Sequence, residues 1–486
     1  MKRRFVATVG ILVFLYGCQP SAVPLPGGGS TGPVSNEPGQ PEEANFFYFS
    51  YDDSASFASR DLSLASIDMG DIPKASWGRP YEFLNAENLG HFNKKTVGPF
   101  EVSIGLLETD SAEIPLVDSD VVDTLYSLGV NISGPEISRE ERNNIVMTLL
   151  VDQSWSMHND YETGDIFSTE SRMDLLKKGL REMQASLKEG DIINVVGFTG
   201  EAYTIATNVN PLSSYYLDVV NSLNPRFFQS TNITEGLSQA YAVARAHYDP
   251  DKDNMVLLLA DGFDGVISTI RRIVMQEKVI DNEDGIFFSA VGVGTRFNDA
   301  VMDELTEEGK GAYYALLSPA DTKRVFVDGF MGFIDHAVSN VRFKLTYPAG
   351  WEHLHSAAEE YSTEEEDVSP SHFAYNNDQF FFEIFSSATP PLSDDVLILD
   401  IEYEDDSGAS VTDSLSVPVS EVAGQGEMQI KTAAAIVTLT QLIAGSLSCD
   451  QVQSSGLYYQ ELDNDLFVAY KHYIDSLCLL LASETG

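Results

Sequence analysis

Basic residues are scarce in this chain of 486: 29 lysines and arginines face 74 aspartates and glutamates, a formal charge of −45. So acidic a surface repels phosphate backbones and bare anionic lipid, which argues against nucleic acid as a partner. Cysteine is scarcer still, with three copies, so at most one disulfide can close within the chain. Catalytic signatures are missing too. There is no GxSxG elbow between a strand and a helix, no phosphate-cradling GxxxxGK[ST] and no HExxH, and we expect no enzyme. Beyond the N-terminus no stretch of about twenty apolar residues escapes polar interruption, the apolar C-terminal region included.

What is present begins with two apolar runs that end in oxygen-bearing side chains. Ile145 to Val151 has the length and character of a buried parallel strand and opens into Asp152-Gln153-Ser154-Trp155-Ser156. Met255 to Ala260 is a second such run, closed by Asp261 and Gly262. Ligands of open α/β sheets bind beyond the carboxyl ends of the strands, so both runs deliver an aspartate to one rim. Thr231 stands just before a helical pattern of Ile233, Leu237, Ala240, Tyr241 and Ala244, which makes it a loop residue at a helix start. Taken singly, each of these residues could cap a helix or form a turn. Together they are the hydroxyls and carboxylates that a hard divalent cation prefers.

Their order resembles the von Willebrand factor type A domain, whose metal-ion-dependent adhesion site combines DxSxS, a threonine and a further aspartate. Asp152, Ser154 and Ser156 match the first motif, Thr231 the threonine and Asp261 the last aspartate. The resemblance implies an α/β, Rossmann-like domain, with a parallel-rich central sheet and helices on both faces. It also implies Mg2+ as the bound ion, with Mn2+ or Ca2+ as alternatives, and an acidic side chain of a partner protein in the open coordination position. Such a partner would meet a field of its own sign. Screening over roughly 8 Å at physiological salt lets the cation dominate its immediate surroundings.

Alternating elements support this reading from 143 to 318. Ser171 and Asp174 look like a capping box for a helix carrying Leu176, Leu180, Met183 and Leu187. Strands are expected at Ile192 to Phe198, Tyr203 to Val209, Phe287 to Val293 and Ala312 to Leu316, with helices near Ser268 to Val279 and Asn298 to Glu308. The flanks 45–142 and 319–426 are β-rich, as in Phe46-Phe47-Tyr48-Phe49 and Phe380-Phe381-Phe382-Glu383-Ile384. Neither flank is complete alone, so one β-sandwich built from both, with the α/β domain inserted, is expected. Residues 427–486 return to helical spacing and should form two helices packed on the body.

The N-terminus sets the compartment. Met1 to Arg4 is basic, Phe5 to Leu15 is apolar, and Leu15-Tyr16-Gly17-Cys18 follows. This resembles a bacterial lipoprotein signal, residues 1–17, which implies lipidation of Cys18 and insertion of its acyl chains in the lipid bilayer, at about 0.8 kcal/mol per buried CH2. Gln19 in place of aspartate implies the outer membrane of the cell envelope. Removal of Lys2, Arg3 and Arg4 leaves 26 basic against 74 acidic residues, a charge of −48. Residues 18–44, rich in proline, glycine and serine, read as a tether. With Cys18 acylated, Cys449 and Cys478 are left as a pair in an oxidising compartment, which favours a disulfide. A simple antiparallel hairpin would nonetheless hold them roughly 20 Å apart. The pairing stays open.

Other features carry less. His353 and His355 lack a third ligand at zinc spacing. Glu364 to Asp367 reads as a solvated loop. Asn159 and Asp160 resemble the acidic pair of an adjacent metal site in integrin domains, except that Asn159 replaces an acid. The expected function is therefore a membrane-anchored adhesion module that presents a cation to an acidic group of a protein partner. An envelope scaffold with a structural metal is the alternative, and a metal-dependent hydrolase a weaker one.

Overall fold

A run of four aromatic residues at the start of the described chain makes the first strand, β1 (Asn45–Ser50), which buries Phe47 and Phe49. The computed structural model describes residues 45–484 apart from 52–55, 111, 118–123, 166–169, 228–229, 263–266, 278, 281–282, 296–301, 303–304, 307–308, 310, 335 and 406–407. The signal segment, Cys18 and the tether lie outside the described residues. After β1 come two helices, α1 (Ala58–Asp68) and α2 (Pro80–Ala86), then β2 (Lys95–Val97), β3 (Phe100–Thr109) and β4 (Thr124–Ser133). The helices correct the purely β-rich reading of this flank. Ser59, Asp61 and Ser63 of α1 are buried along with Leu62 and Leu64, so no clean apolar stripe marks the helix in the sequence.

The central sheet follows. Its elements are β5 (Ile145–Asp152), α3 (Arg172–Met183), β6 (Ile192–Phe198), β7 (Ala202–Val209), α4 (Ser214–Ser222), α5 (Ile233–Ala246) and β8 (Asp253–Ala260). Then come α6 (Ile267–Glu277), a small hairpin of β9 (Val279–Ile280) and β10 (Glu283–Asp284), β11 (Ile286–Val293) and β12 (Tyr313–Leu316). The strand order is β12-β11-β8-β5-β6-β7. All neighbours are parallel except β6 and β7, so an antiparallel edge closes one side. Every residue of β5 and β11 is buried, because α5 and α6 cover one face and α3 and α4 the other. That double cover is why these strands run apolar instead of alternating. Most of the helix expected at Asn298 to Glu308 lies outside the described residues.

The second flank supplies β13 (His336–Tyr347), β14 (Trp351–Ser356), β15 (Glu360–Ser362), β16 (Ser371–Ala374), β17 (Asp378–Ser387), β18 (Val396–Glu404) and β19 (Ser410–Pro418). Two sheets result, β15-β1-β13-β18-β19 with β16 on β13, and β14-β17-β4-β3-β2. Each mixes strands from both flanks: Phe47 of β1 pairs with Leu345 of β13, and Val130 of β4 with Phe381 of β17. Their inner faces share one core, in which Phe49 meets Phe381 edge-on at 4.8 Å and Val130, Phe343 and Leu399 are buried. The sandwich is therefore split, and the α/β domain is inserted between β4 and β13.

Two long helices end the chain, α7 (Glu427–Ala444) and α8 (Asp465–Glu484). Ile430, Ala434, Val437 and Thr438 are among twelve buried residues of α7, which makes it a core helix. Gly78 lies so close that an added Cβ would sit 2.4 Å from the Thr440 carbonyl oxygen. Phe467, Tyr470, Ile474 and Leu477 dock α8. Between the two helices the chain makes short helices Cys449–Ser454 and Gly456–Tyr459, the second held by hydrogen bonds to Ala112 and Glu113. The detour displaces the start of α8, so the simple hairpin does not form. Cys449 and Cys478 are disulfide-bonded, with Cα atoms 5.7 Å apart.

Candidate metal centre

The centre forms where β5 and β8 run out side by side. Val151 pairs with Leu259 in parallel register, which brings Asp152 and Asp261 to the same rim. Asp152 is fully buried, and its Oδ1 accepts the Ser154 amide at 2.7 Å, folding the loop back over the strand end. A single 3-10 turn, Trp155–His158, then carries Ser156 inward. Ser154 Oγ and Ser156 Oγ lie 2.9 Å apart, and the Ser156 hydroxyl donates to Asp261 Oδ1 at 2.9 Å. Four of the five expected residues thus form one hydrogen-bonded cluster. Thr231, the fifth, is half-buried in the loop before α5. Its neighbour Asn232 donates its amide to Thr199, which follows β6, so Thr231 shares the rim without a hydrogen bond to the cluster.

The charge balance is unusual. Burial first, and the charge of Asp261 second, push the Asp152 carboxyl up to about 8. Its Oδ2 is buried and has no hydrogen-bond partner. Asp261 is better satisfied, because Arg172 Nη1 donates to its Oδ2 at 2.5 Å. Arg172 is the first residue of α3, which starts at a full Ser171/Asp174 capping box. Sequence reasoning missed this arginine. The available signal was a basic residue in a first helical turn, where the macrodipole favours acids.

An unpartnered buried carboxylate oxygen beside two hydroxyls and a second carboxylate is a donor set that fits a hard divalent cation. Asp152, Ser154 and Ser156 are the residues that would hold it, with Asp261 beside them and Thr231 across the rim. When bound, such an ion supplies an open position for an anionic oxygen. No group of three or more histidine, cysteine, aspartate or glutamate side chains suited to a metal occurs among the described residues, so any ion held here would need the serine hydroxyls as ligands.

Around the cluster stands a rim that the sequence did not disclose. Trp155 packs against Phe227 at 4.1 Å and stacks on His158 at 4.6 Å. Gln153 crosslinks the loop: its amide donates to Phe198 O, its side chain donates to Asn224 O, and Tyr203 donates to its Oε1 at 2.5 Å. Arg226 lies over the Tyr203 ring, 3.7 Å from its centroid.

The weaker candidates take structural roles. Asp160 Oδ1 accepts the amides of Glu162 and Thr163, the work of a turn former. His353 meets Glu383 at 2.8 Å, a pairing across strands that no sequence spacing announced. Glu365 pairs with Arg342 at 2.6 Å on an exposed turn.

Residues 147–263 match the family model of the von Willebrand factor type A domain. No curated protein matches the chain. Among solved structures, a von Willebrand factor type A protein from Catenulispora acidiphila is similar at 14% identity and a TM-score of 0.44, over 80% of this chain and 91% of that one. The ArnB paralog VWA2 from Sulfolobus acidocaldarius is similar at 15% identity and a TM-score of 0.36, over 78% and 98%. The conserved hypothetical protein BatB from Bacteroides thetaiotaomicron gives 18% and 0.30, over 38% and 95%. Domains of the matched family commonly mediate protein–protein interaction. The chain carries a von Willebrand factor type A domain, and the clustered Asp152, Ser154, Ser156 and Asp261 lie within its matched segment.

Proposed function

We propose that this protein is a lipid-anchored, divalent-metal-dependent binding module, which offers a cation at the rim of its central sheet to an acidic side chain of a protein partner. The observation that carries the reading is Asp152 Oδ2, buried and unpartnered beside Ser154, Ser156 and Asp261. A site with no use for a cation would leave that oxygen desolvated at a cost of about 1–3 kcal/mol. Mg2+ suits the donor set best, and Mn2+ or Ca2+ can replace it. Binding without catalysis is the proposal, because no histidine or lysine is hydrogen-bonded to the cluster among the described residues and Arg172 is committed to Asp261.

Crosslinking from the native membrane tests it. Wild type should retain a partner in Mg2+ and release it in EDTA, while folded Asp152→Ala should retain none. Equal retention by the folded variant would reject the metal-presenting role in favour of a scaffold that binds through the sandwich or the C-terminal helices. Acylation of Cys18 in the cell envelope, outer membrane in preference to inner, completes the proposal. Cys18→Ser should move the protein from the membrane to the soluble fraction and abolish labelling by a palmitate analogue.

A further inference from the structure

Arg172 has a placement that a merely structural arginine does not need. Its guanidinium is nearly buried, reaches Asp261 Oδ2 at 2.5 Å, and lies 3.4 Å from the Ser156 carbonyl. Space for it is cleared by Gly294 at the end of β11, where φ is +83° and an added Cβ would come within 2.7 Å of Arg172 Nε. The capping box of α3 fixes its backbone, and its amide donates to Asn159 O in the loop that follows DxSxS. A cation is thus built into a site whose other charged members are two carboxylates.

We infer that Arg172 is the charge-setting residue of the centre, taking up Asp261 so that Asp152 is left as the one uncompensated carboxylate. This rests on the metal-binding reading above. With both carboxyls ionised around a bound cation, Arg172 brings the side chains to one negative charge, and a divalent cation leaves the loaded centre with one positive charge. Without it the loaded centre is neutral. Arg172 therefore trades strength of metal binding for attraction toward an anionic oxygen. This gives a strongly acidic protein a local positive spot for an equally acidic guest.

The test is titration of the purified protein with Mn2+ by calorimetry, together with the water-proton relaxation of bound Mn2+ as acetate is added. Arg172→Met keeps length and removes charge. It should bind Mn2+ at least tenfold more tightly, and its response to acetate should weaken at least fivefold. Arg172→Lys keeps the charge and should stay within threefold of wild type in both readouts. A folded Arg172→Met with an Mn2+ affinity equal to or weaker than wild type would overturn the inference and leave Arg172 as a brace. Should that variant not fold, Arg172→Gln is read by the same two criteria. Failure of the wild type itself to bind Mn2+ sinks the metal reading and this inference together, whereas a binding wild type with unchanged variants sinks the inference alone.

Discussion

At the scale of single residues, the paired carboxyls at the rim carry an electrostatic cost. Asp152 and Asp261 face each other from adjacent strand ends, and burial gives the charge on Asp152 little water to lean on. Asp152→Asn should therefore melt higher than wild type when both are measured in EDTA. Added Mg2+ should stabilise wild type only, by about 2.7 kcal/mol at a hundredfold excess over Kd, read as a rise of several degrees in Tm. A variant that melts lower in EDTA and still responds to Mg2+ would contradict this. Asp152, Ser154, Ser156 and Asp261 were legible in the sequence because a largely apolar strand announces where its last residue must emerge, and DxSxS follows at that end. Arg172 was not, since its bond to Asp261 crosses 89 positions of sequence and depends on how α3 docks.

At the scale of elements, the strands of the central sheet were readable and the helices of the first flank were not. β5 and β8 are covered on both faces, so composition alone marks them. Helix α1 is hidden by its buried serines and Asp61, the latter held by Arg324 at 2.6 Å. The sandwich holds a comparable surprise in β14. His355 is half-buried there with its Nε2 enclosed and unpartnered, and desolvation, then the neighbouring His353, lowers its pKa to about 4. A histidine held neutral in the fold favours the unfolded chain once protons are available. Its contribution is complete above the unfolded value near 6.5 and is lost as pH falls toward 4. Urea unfolding should show wild type losing up to about 3 kcal/mol across that window through this group, with His355→Leu giving a flatter profile. Equal slopes for the two proteins would dismiss His355 as the sensor.

At the scale of the whole molecule, the split sandwich was legible and the path of the C-terminus was not. Incomplete β-rich flanks on either side of an α/β unit leave few ways to pair every strand, so insertion followed from the pattern. The hairpin estimate failed because it supposed that the chain turns straight back after α7, whereas two short helices intervene. The resulting disulfide closes a loop with a sequence separation of 29. Loop-closure entropy puts its contribution at about 3–4 kcal/mol. Reduction, or Cys478→Ser, should lower unfolding stability by that order in chemical denaturation and leave Mn2+ affinity unchanged, since the bridge lies outside the central sheet. A matching loss of metal affinity would show that the C-terminal helices and the centre are coupled.

The insertion also governs how a pull would travel. The α/β domain leaves the sandwich from β4 and returns through β13, each an interior strand flanked on both sides, and the two belong to opposite sheets. Tension applied at the rim of the central sheet would thus be shared by two leads, each rooted in a strand paired on both sides. A single cut in either lead would leave the domain still moored by the other.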